Sequence, residues 1–269
     1  MDEILGKLPE PYYKTEYGAA YLGDALQLIQ NIPDGQINLI MTSPPFALNK
    51  KKPYGNERQS RYVEWFKDFA REFWRVLGDS GSLVIHIGGS WEKGYPIRST
   101  YHFELLLELC RPSNNDSNFY LAQDFYWFNP ARLPAPAEWV TVHRVRVKDA
   151  VDPIWWLSKT PFPKADNRRV LAPYSKAMLR LLQQGYNAGL RPSGHNISQK
   201  FLLDHGGAIP PNLLAIANTE SNGDYLNSCR DSGITPHPAR YPISLPEFFI
   251  KFLTVEKDIV LDPFAGSNA

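Results

Sequence analysis

Two apolar segments separated by an amphipathic helix constrain the fold of this 269-residue chain more than any other feature. Residues 37–42 and 82–87 are near-continuous apolar runs, as expected of strands that are buried on both faces. Between them, residues 61–77 carry apolar side chains at helical spacing and predict a helix capped by Gly78. This strand–helix–strand order predicts an open, mostly parallel α/β sheet that binds ligands beyond the carboxyl ends of its strands.

The remaining segments extend this order and suggest three regions. Further helices are predicted over residues 25–32, 101–110, 174–182 and 245–253, and further strands over 19–22, 125–128, 154–157 and 258–261. Between Arg168 and Pro238, Gly, Pro and Asn punctuation is frequent. We therefore expect a catalytic α/β region over residues 1–165, a loop-rich target-recognition lobe over 166–236, and the start of a cofactor-binding region over 237–269.

The formal net charge of +1 hides an uneven distribution. Between Val140 and Lys200, eleven Lys or Arg residues stand against three Asp, a local net charge of +8. A polyanionic partner explains this surplus, and so does a solvated basic face. The sequence shows no signal peptide and no apolar run of membrane-spanning length, and Cys110 and Cys229 lack metal-site spacing. We expect a soluble, cytoplasmic protein that binds no metal and no membrane.

Residues 41–46 read MTSPPF and follow directly from the apolar run that begins at residue 37. Pro44 and Pro45 cannot donate ladder hydrogen bonds, so the backbone leaves the sheet as a rigid segment with free carbonyls at Ser43 and Pro44. The Ser43 side-chain oxygen and a neighbouring carbonyl form a pair of acceptors that suits an exocyclic NH₂ group. Phe46 offers a face for a flat heterocycle. Alternatively, the two prolines only end the strand, and Phe46 is an ordinary aromatic residue of the core.

A second segment, DPFAGS at residues 262–267, resembles the cofactor-binding motif of S-adenosylmethionine-dependent amino-methyltransferases, and MTSPPF resembles their catalytic motif. The catalytic motif comes first, with a basic loop-rich insert between the two, as in the β group of these enzymes. The stretches DFYWFNP, RVKDAV, RPSGH and GGAIPPNLL extend the similarity to the PvuII-type cytosine-N4 DNA methyltransferases over nearly the whole chain.

The resemblance implies a fold and an activity. The fold is a Rossmann-like methyltransferase sheet with a target-recognition lobe. The activity is transfer of a methyl group from S-adenosyl-L-methionine to N4 of cytosine in a short palindromic duplex site, as part of a restriction-modification system. The implied partners are double-stranded DNA and a cognate restriction endonuclease that acts on the same site.

The resemblance also assigns roles to residues. Ser43 and Pro44 hold the target amine, Pro45 fixes the turn, and Phe46 stacks on a base that is rotated out of the duplex. The cofactor residues are Asp24, His237, Pro238, Arg240, Asp262, Phe264, Gly266 and Ser267. Asp24 would contact the adenine, although it also suits a helix cap, and Arg240 also suits a surface ion pair.

Basic residues near the catalytic motif and in the central segment are candidates for DNA contacts. We expect phosphate contacts from Lys50, Lys51, Lys52, Arg144, Arg146 and Lys148. Candidates for base-edge contacts are Arg191, Ser193 and His195.

Two departures from the PvuII-type pattern leave alternatives open. That pattern has an acidic residue ahead of Gly88-Gly89, where this sequence has His86, which is either a neutral proton acceptor or an inward-facing histidine bonded to backbone. Relatives also continue after the cofactor motif with a helix and a strand that lies between the Asp24 and Asp262 strands. We therefore expect an incomplete sheet and weak activity unless a second polypeptide completes the cofactor site.

Three other functions are weighed against cytosine-N4 methylation. A DNA-binding subunit that is inactive alone is one, and adenine-N6 methylation is another, because Ser-Pro-Pro also occurs among adenine enzymes. Carbon-5 methylation is disfavoured, because neither cysteine has the Pro-Cys setting of that chemistry.

Overall fold

The computed structural model describes residues 4, 6–52, 55–112, 117–185, 189–197, 203–218, 223–236 and 240–266. In chain order its strands are β1 (Tyr13–Lys14), β2 (Ala19–Ala20), β3 (Ile37–Thr42), β4 (Leu77–His86), β5 (Tyr120–Phe128), β6 (Val151–Ser158), β7 (Gly189–Leu190), β8 (Asn196–Ile197), β9 (Leu213–Ala215) and β10 (Val260–Leu261). Its α-helices are α1 (Ala25–Gln30), α2 (Gln59–Val76), α3 (Tyr101–Cys110), α4 (Lys176–Gln184), α5 (Asp224–Asp231) and α6 (Ser244–Leu253).

A six-stranded sheet in the order β10-β3-β4-β6-β5-β9 forms the centre of the molecule. β3 pairs in parallel with both β10 and β4, and β9 pairs in parallel with β5. β6 is antiparallel to both of its neighbours, β4 and β5. All strands of this sheet except β6 therefore share one direction, which confirms the mostly parallel α/β sheet predicted from the sequence.

Helices cover both faces of the sheet, which explains why the strands are apolar throughout. In β3, Ile40 packs into one buried cluster with residues of α2 and α3, whereas Leu39 packs into a second cluster with residues of α6. Neighbouring residues of a strand point to opposite faces, so a strand buried on both faces has no polar alternation. In the larger cluster, Tyr62, Phe66 and Phe73 of α2 have no exposed surface.

Two short strands lie elsewhere than the sequence-based expectations placed them. The predicted strand over residues 19–22 shortens to β2, which pairs with β1 in a separate antiparallel sheet and so does not join the main sheet. β9, within the expected recognition lobe, joins the main sheet beside β5. Among the described residues, no helix is long and apolar enough to cross a membrane.

Gly78 does not cap α2, so that prediction was wrong. The helix ends at Val76, and Leu77 is already extended, with φ −68° and ψ 133°, because β4 begins at that residue. Gly78 is instead a site of close backbone approach, where an added Cβ atom would lie 3.3 Å from the carbonyl oxygen of Gly35. This contact brings the end of α2 against the turn that leads into β3.

Replacing Phe73 with alanine tests the larger core. The ring has 0% exposure and packs edge-on against Phe66, with 5.9 Å between ring centroids. Phe73→Ala is expected to lower the free energy of unfolding by about 3–5 kcal/mol, because it removes buried surface and leaves a cavity. Phe162→Ala, at a ring with 87% exposure, is the matched control and should change stability by less than about 0.5 kcal/mol. Urea unfolding measures both, and equal effects would contradict this account of the core.

Candidate active site

The MTSPPF segment leaves the sheet where β3 ends, as the two prolines predict. Pro44 is buried, while Ser43 and Phe46 are half-buried. Within the described part of the chain, no backbone N–H donates to the carbonyl of Ser43 or of Pro44. The expected group of acceptors is therefore present: one side-chain oxygen and two neighbouring carbonyls on a rigid segment.

The end of β4 holds Phe46 in place. An added Cβ atom on Gly88 would lie only 2.3 Å from Cε2 of Phe46, so only glycine leaves room for this ring. The hydroxyl of Tyr101, on α3, donates a hydrogen bond to the carbonyl of Gly88 and anchors the loop from behind. The close approach of ring and backbone thus fixes the aromatic face beside Ser43.

His86, the last residue of β4, lies between Ser43 and a buried carboxylate. Its Nδ1 atom is 3.0 Å from the Oγ atom of Ser43, and its Nε2 atom is 3.7 Å from an oxygen of Asp152 on β6. Arg132 contacts both oxygens of that carboxylate at 2.9 and 2.8 Å. Burial acts to raise the pKa of Asp152, but the neighbouring His86 and Arg132 outweigh burial and lower the pKa below its ordinary value.

Aromatic rings enclose His86 on its remaining sides. The centroids of Phe46, Trp127 and Tyr241 lie 5.4, 5.3 and 6.0 Å from the imidazole, each in an edge-on arrangement. These rings leave His86 with 4% exposure. The imidazole is therefore shielded from solvent, and its polar contacts are directed along the line from Ser43 to Asp152.

A second carboxylate joins the catalytic segment to the DPFAGS segment. Thr42 donates a hydrogen bond to Oδ1 of Asp262 at 2.6 Å, and the backbone N–H of Phe264 donates to the same oxygen at 3.0 Å. Tyr241 donates to the other oxygen at 3.3 Å. Burial raises the pKa of Asp262, and these three hydrogen bonds only partly offset that effect. The two motifs, far apart in sequence, thus meet at one edge of the sheet.

The structure gives several predicted cofactor residues definite local roles. Asp24 caps α1 by accepting a hydrogen bond from the backbone N–H of Gln27 at 3.0 Å, which is the alternative role considered for it. The ring of Phe264 packs on Phe69, with centroids 4.9 Å apart. Gly266 has φ +62°, a left-handed conformation that glycine adopts without strain. Arg240 lies over the ring of Tyr225.

His237, Pro238 and Ser267 fall outside the described residues. The assignment of the cofactor residues as a group therefore stays a prediction.

The candidate DNA-contact residues fall into three places. Lys50 and Lys51 are exposed directly after the catalytic segment, and Lys52 is half-buried beside them. Arg144 and Lys148 are exposed in the loop before β6, whereas the guanidinium of Arg146 is 3.3 Å from Asp149 and its side chain is only 14% exposed. The base-edge candidates, Arg191, Ser193 and His195, are all exposed in the turn between β7 and β8. The hairpin therefore presents these three together.

Sequence reasoning missed Thr42, Arg132 and Asp152 as members of the site. One signal was present: Asp152 is a lone carboxylate at the start of the otherwise apolar segment VDPIWWL. A charge in a strand that is buried on both faces requires a partner, and this partner is Arg132. Thr42 carried no comparable signal, because Thr is common in ordinary strands.

Comparisons with known proteins agree with this geometry. A family model described as DNA methylase, of the N6/N4 type, matches residues 37–269. The chain is 51% identical to the type II methyltransferase M.PvuII of Proteus hauseri over 99% of this chain and 79% of that protein. It is 35% identical to M.BamHI of Bacillus amyloliquefaciens over 96% of this chain but only 52% of that protein. The solved PvuII DNA methyltransferase, described as cytosine-N4-specific, superposes with a TM-score of 0.76 at 45% identity, covering 96% of this chain and 78% of that one.

Replacing Asp152 tests the buried charge network by its pH dependence. Because the folded-state pKa of Asp152 lies below its ordinary value, the carboxylate stabilises the fold above the unfolded-state pKa, and this contribution is lost as pH falls through the folded-state pKa. Asp152→Asn is expected to cost about 1–3 kcal/mol at pH 7, and the difference from wild type should shrink as the solution is acidified below about pH 4.

Asp79→Asn is the matched control, because Asp79 is fully exposed. It should leave the unfolding free energy nearly unchanged across the same pH range. Chemical denaturation at a series of pH values measures both variants. If Asp152→Asn lowers the unfolding free energy by the same amount at every pH, the loss comes from the altered side-chain shape and not from the charge.

Proposed function

Because this chain belongs to the DNA methylase family whose model matches residues 37–269, we propose that it transfers a methyl group from S-adenosyl-L-methionine to N4 of cytosine in double-stranded DNA. The observation that carries the proposal is the rigid MTSPPF segment at the end of β3. It presents the Ser43 side-chain oxygen beside unpaired carbonyls and the face of Phe46. The 51% identity to M.PvuII supports cytosine N4 as the target atom.

The acceptor group explains how a poor nucleophile is made to react. The lone pair of an amine attached to an aromatic ring is delocalised into the ring, so the amine must be drawn toward tetrahedral geometry before it attacks. Ser43 and the carbonyl of Pro44 accept its two N–H groups and aim the lone pair away from them. The same oxygens stabilise the positive charge that develops on nitrogen as the new bond forms.

The residues around Asp262 suit a methyl donor next to this amine. The Thr42–Asp262 hydrogen bond places the turn after β10 beside Ser43, and Ala265 and Gly266 leave its backbone open to close approach. When bound, S-adenosyl-L-methionine supplies an electrophilic methyl group on a positively charged sulfur. Asp262 holds the turn in place, and Asp24 and Gly266 are the proposed binding residues on either side.

The basic segments suit the duplex that carries the target base. Lys50, Lys51, Arg144 and Lys148 are exposed, Lys52 is half-buried beside the first two, and all five are proposed to contact phosphates, which position the duplex without reading its sequence. The β7–β8 turn is proposed to read base edges of a short palindromic site. Phe46 would stack on the base after it rotates out of the duplex.

The wider biological setting is part of the proposal. We propose that the protein acts in the cytoplasm and that a restriction endonuclease recognises the same site, as the type II relatives suggest. A second polypeptide that completes the cofactor site stays a prediction. A weak response to S-adenosyl-L-methionine by this chain alone, restored by such a polypeptide, would support it.

Product analysis of methylated DNA tests the target atom. Nucleosides from duplex DNA that was incubated with the protein and labelled S-adenosyl-L-methionine should contain N4-methylcytosine. Ser43→Ala should reduce the transfer rate by about 10²-fold or more with little loss of DNA affinity, because it removes one acceptor from the amine. Ser80→Ala, at an exposed position near the amino-terminal end of β4, should keep N4-methylcytosine as the product. Recovery of N6-methyladenine would identify an adenine enzyme instead.

The salt dependence of DNA binding tests the phosphate contacts. The logarithm of affinity should fall linearly with the logarithm of salt concentration, because each contacted phosphate releases counterions. Replacing Lys50, Lys51 and Lys52 together with alanine should reduce the magnitude of the slope by about 3. Lys251→Ala, where the lysine pairs with Glu247 on α6, should leave the slope unchanged. A slope that the triple replacement does not alter would remove these lysines from the interface.

A further inference from the structure

The series Ser43–His86–Asp152–Arg132 runs from the half-buried acceptor group through two buried side chains to an arginine that is 32% exposed. Its atoms are separated by 3.0 Å from Ser43 to His86, 3.7 Å from His86 to Asp152, and 2.8 Å from Asp152 to Arg132. We propose that His86 takes up, through Ser43, the proton that the target amine releases, and that Asp152 and Arg132 position the imidazole for this step. The inference rests on the proposed methyl transfer to an exocyclic amine.

The carboxylate selects the form of the imidazole that this step requires. Arg132 and His86 keep the pKa of Asp152 below its ordinary value, so at neutral pH this group is ionised and only accepts hydrogen bonds. The ring nitrogen that faces it, Nε2, lies 3.7 Å away, beyond hydrogen-bond distance, and has no hydrogen-bond partner among the described residues. The negative charge of Asp152 nevertheless favours a hydrogen on this nitrogen. The other nitrogen, Nδ1, is then an acceptor, and the Ser43 hydroxyl donates to it over 3.0 Å. With its hydrogen directed at His86, Ser43 turns its lone pairs toward the amine.

The proton balance follows from this arrangement. As the bond between nitrogen and the methyl carbon forms, the former carbon–sulfur bonding pair stays on sulfur, and the amine must lose one proton to become neutral. Ser43 Oγ receives that proton and passes its own hydrogen to Nδ1 of His86. The resulting imidazolium faces the carboxylate of Asp152, which stabilises it. Solvent takes the proton after the product leaves.

His102 shows what a buried histidine without this setting looks like. It lies on α3 with 1% exposure, and its Nδ1 atom has no hydrogen-bond partner within the described part of the chain. Burial, together with the positive charge of Arg98, lowers the pKa of His102 to about 4. His102 is thus a neutral packing residue. His86 also has one ring nitrogen, Nε2, without a hydrogen-bond partner among the described residues, but its Nδ1 lies 3.0 Å from the Ser43 hydroxyl and its Nε2 lies 3.7 Å from the carboxylate of Asp152.

Other charged or titratable groups face His86 from each element packed against it. Asp152 comes from β6, Arg132 from the loop before β6, and Tyr241 from the segment before α6. Tyr241 leads on to Asp262 by its 3.3 Å hydrogen bond. Burial raises the pKa of Tyr241, so its hydroxyl stays protonated. Asp262, whose pKa burial also raises, is the other acidic group joined to this site.

Single-turnover kinetics of the full chain on duplex DNA separates proton uptake from orientation. In His86→Asn the side-chain oxygen still accepts the Ser43 hydroxyl at the position of Nδ1, but it takes up no proton. The transfer rate should fall on the order of 10²-fold, with unchanged affinities for DNA and cofactor. Wild-type rates should fall on acidification, because the proposed step needs an acceptor at Nδ1. This dependence should disappear in His86→Asn, where Asp262 is still present.

His102→Asn is the matched control and should keep the wild-type rate and pH profile. Asp152→Asn should slow transfer by a smaller factor, of about 10-fold. If His86→Asn does not fold, the transfer rate of Asp152→Asn tests the proposal instead. A His86→Asn protein that transfers methyl groups within about threefold of wild type, with the same pH profile, overturns the proposal.

A second readout needs no turnover. Nitrogen-15 NMR of the imidazole groups, assigned with His86→Asn and His102→Asn, should show the hydrogen of His86 on Nε2 in the wild-type chain at neutral pH. A hydrogen on Nδ1 would make that atom a donor to Ser43 and would overturn the relay, whatever the activity. If the wild-type chain forms no methylated base, the proposed function fails by that result alone, while the NMR result still decides the state of His86.

Discussion

The parallel pairing of β3 with a strand on each side is the constraint on which the rest of the structure depends. β10 and β4 both run in the direction of β3, so the carboxyl ends of all three strands finish at one edge of the sheet. Thr42 at the end of β3 thereby reaches Asp262, 220 residues away, and Ser43 reaches His86. If either neighbour were antiparallel, its end would lie at the opposite edge, and the amine acceptors would lack a cofactor turn or a histidine.

Burial then determines what the side chains at this edge do. Removal of a charge from water is costly unless the charge is paired and hydrogen-bonded, so Asp152 occurs with Arg132, and Asp262 with three donors. The same low-polarity surroundings strengthen the interaction of Ser43 with His86. Fixed geometry at the reacting atoms follows from the requirement to satisfy buried polar groups.

The sequence alone predicted the elements with strong periodicity and the chemistry of the MTSPPF segment. Helix α2 and strand β3 appear close to their predicted bounds, since two-sided burial leaves an unambiguous apolar pattern. Strand β4 ends within one residue of its prediction but begins at Leu77, well before the predicted start at residue 82, because residues 78–81 are polar or glycine. Short elements were less predictable. The segment after residue 18 forms β2 outside the main sheet. Gly78 lies at a close contact between two backbone segments and does not cap α2. The sequence could not distinguish these two roles, because glycine suits both equally well. Periodicity reports which residues are buried but not which strands are neighbours.

The sequence by itself determined the α/β class, the acceptor chemistry of Ser43, Pro44 and Pro45, and the basic surplus of the central segment, because each depends on local residue types and spacing. Only the tertiary structure decided the partners of His86. The pairing of β4 with β6 sets His86 opposite Ile154, which places Asp152, two residues before Ile154 on β6, on the same face. Side chains alternate between faces, so a register shift of one residue would turn the carboxylate away. Strand order and register arise from packing of the whole chain, and no short stretch of sequence encodes them.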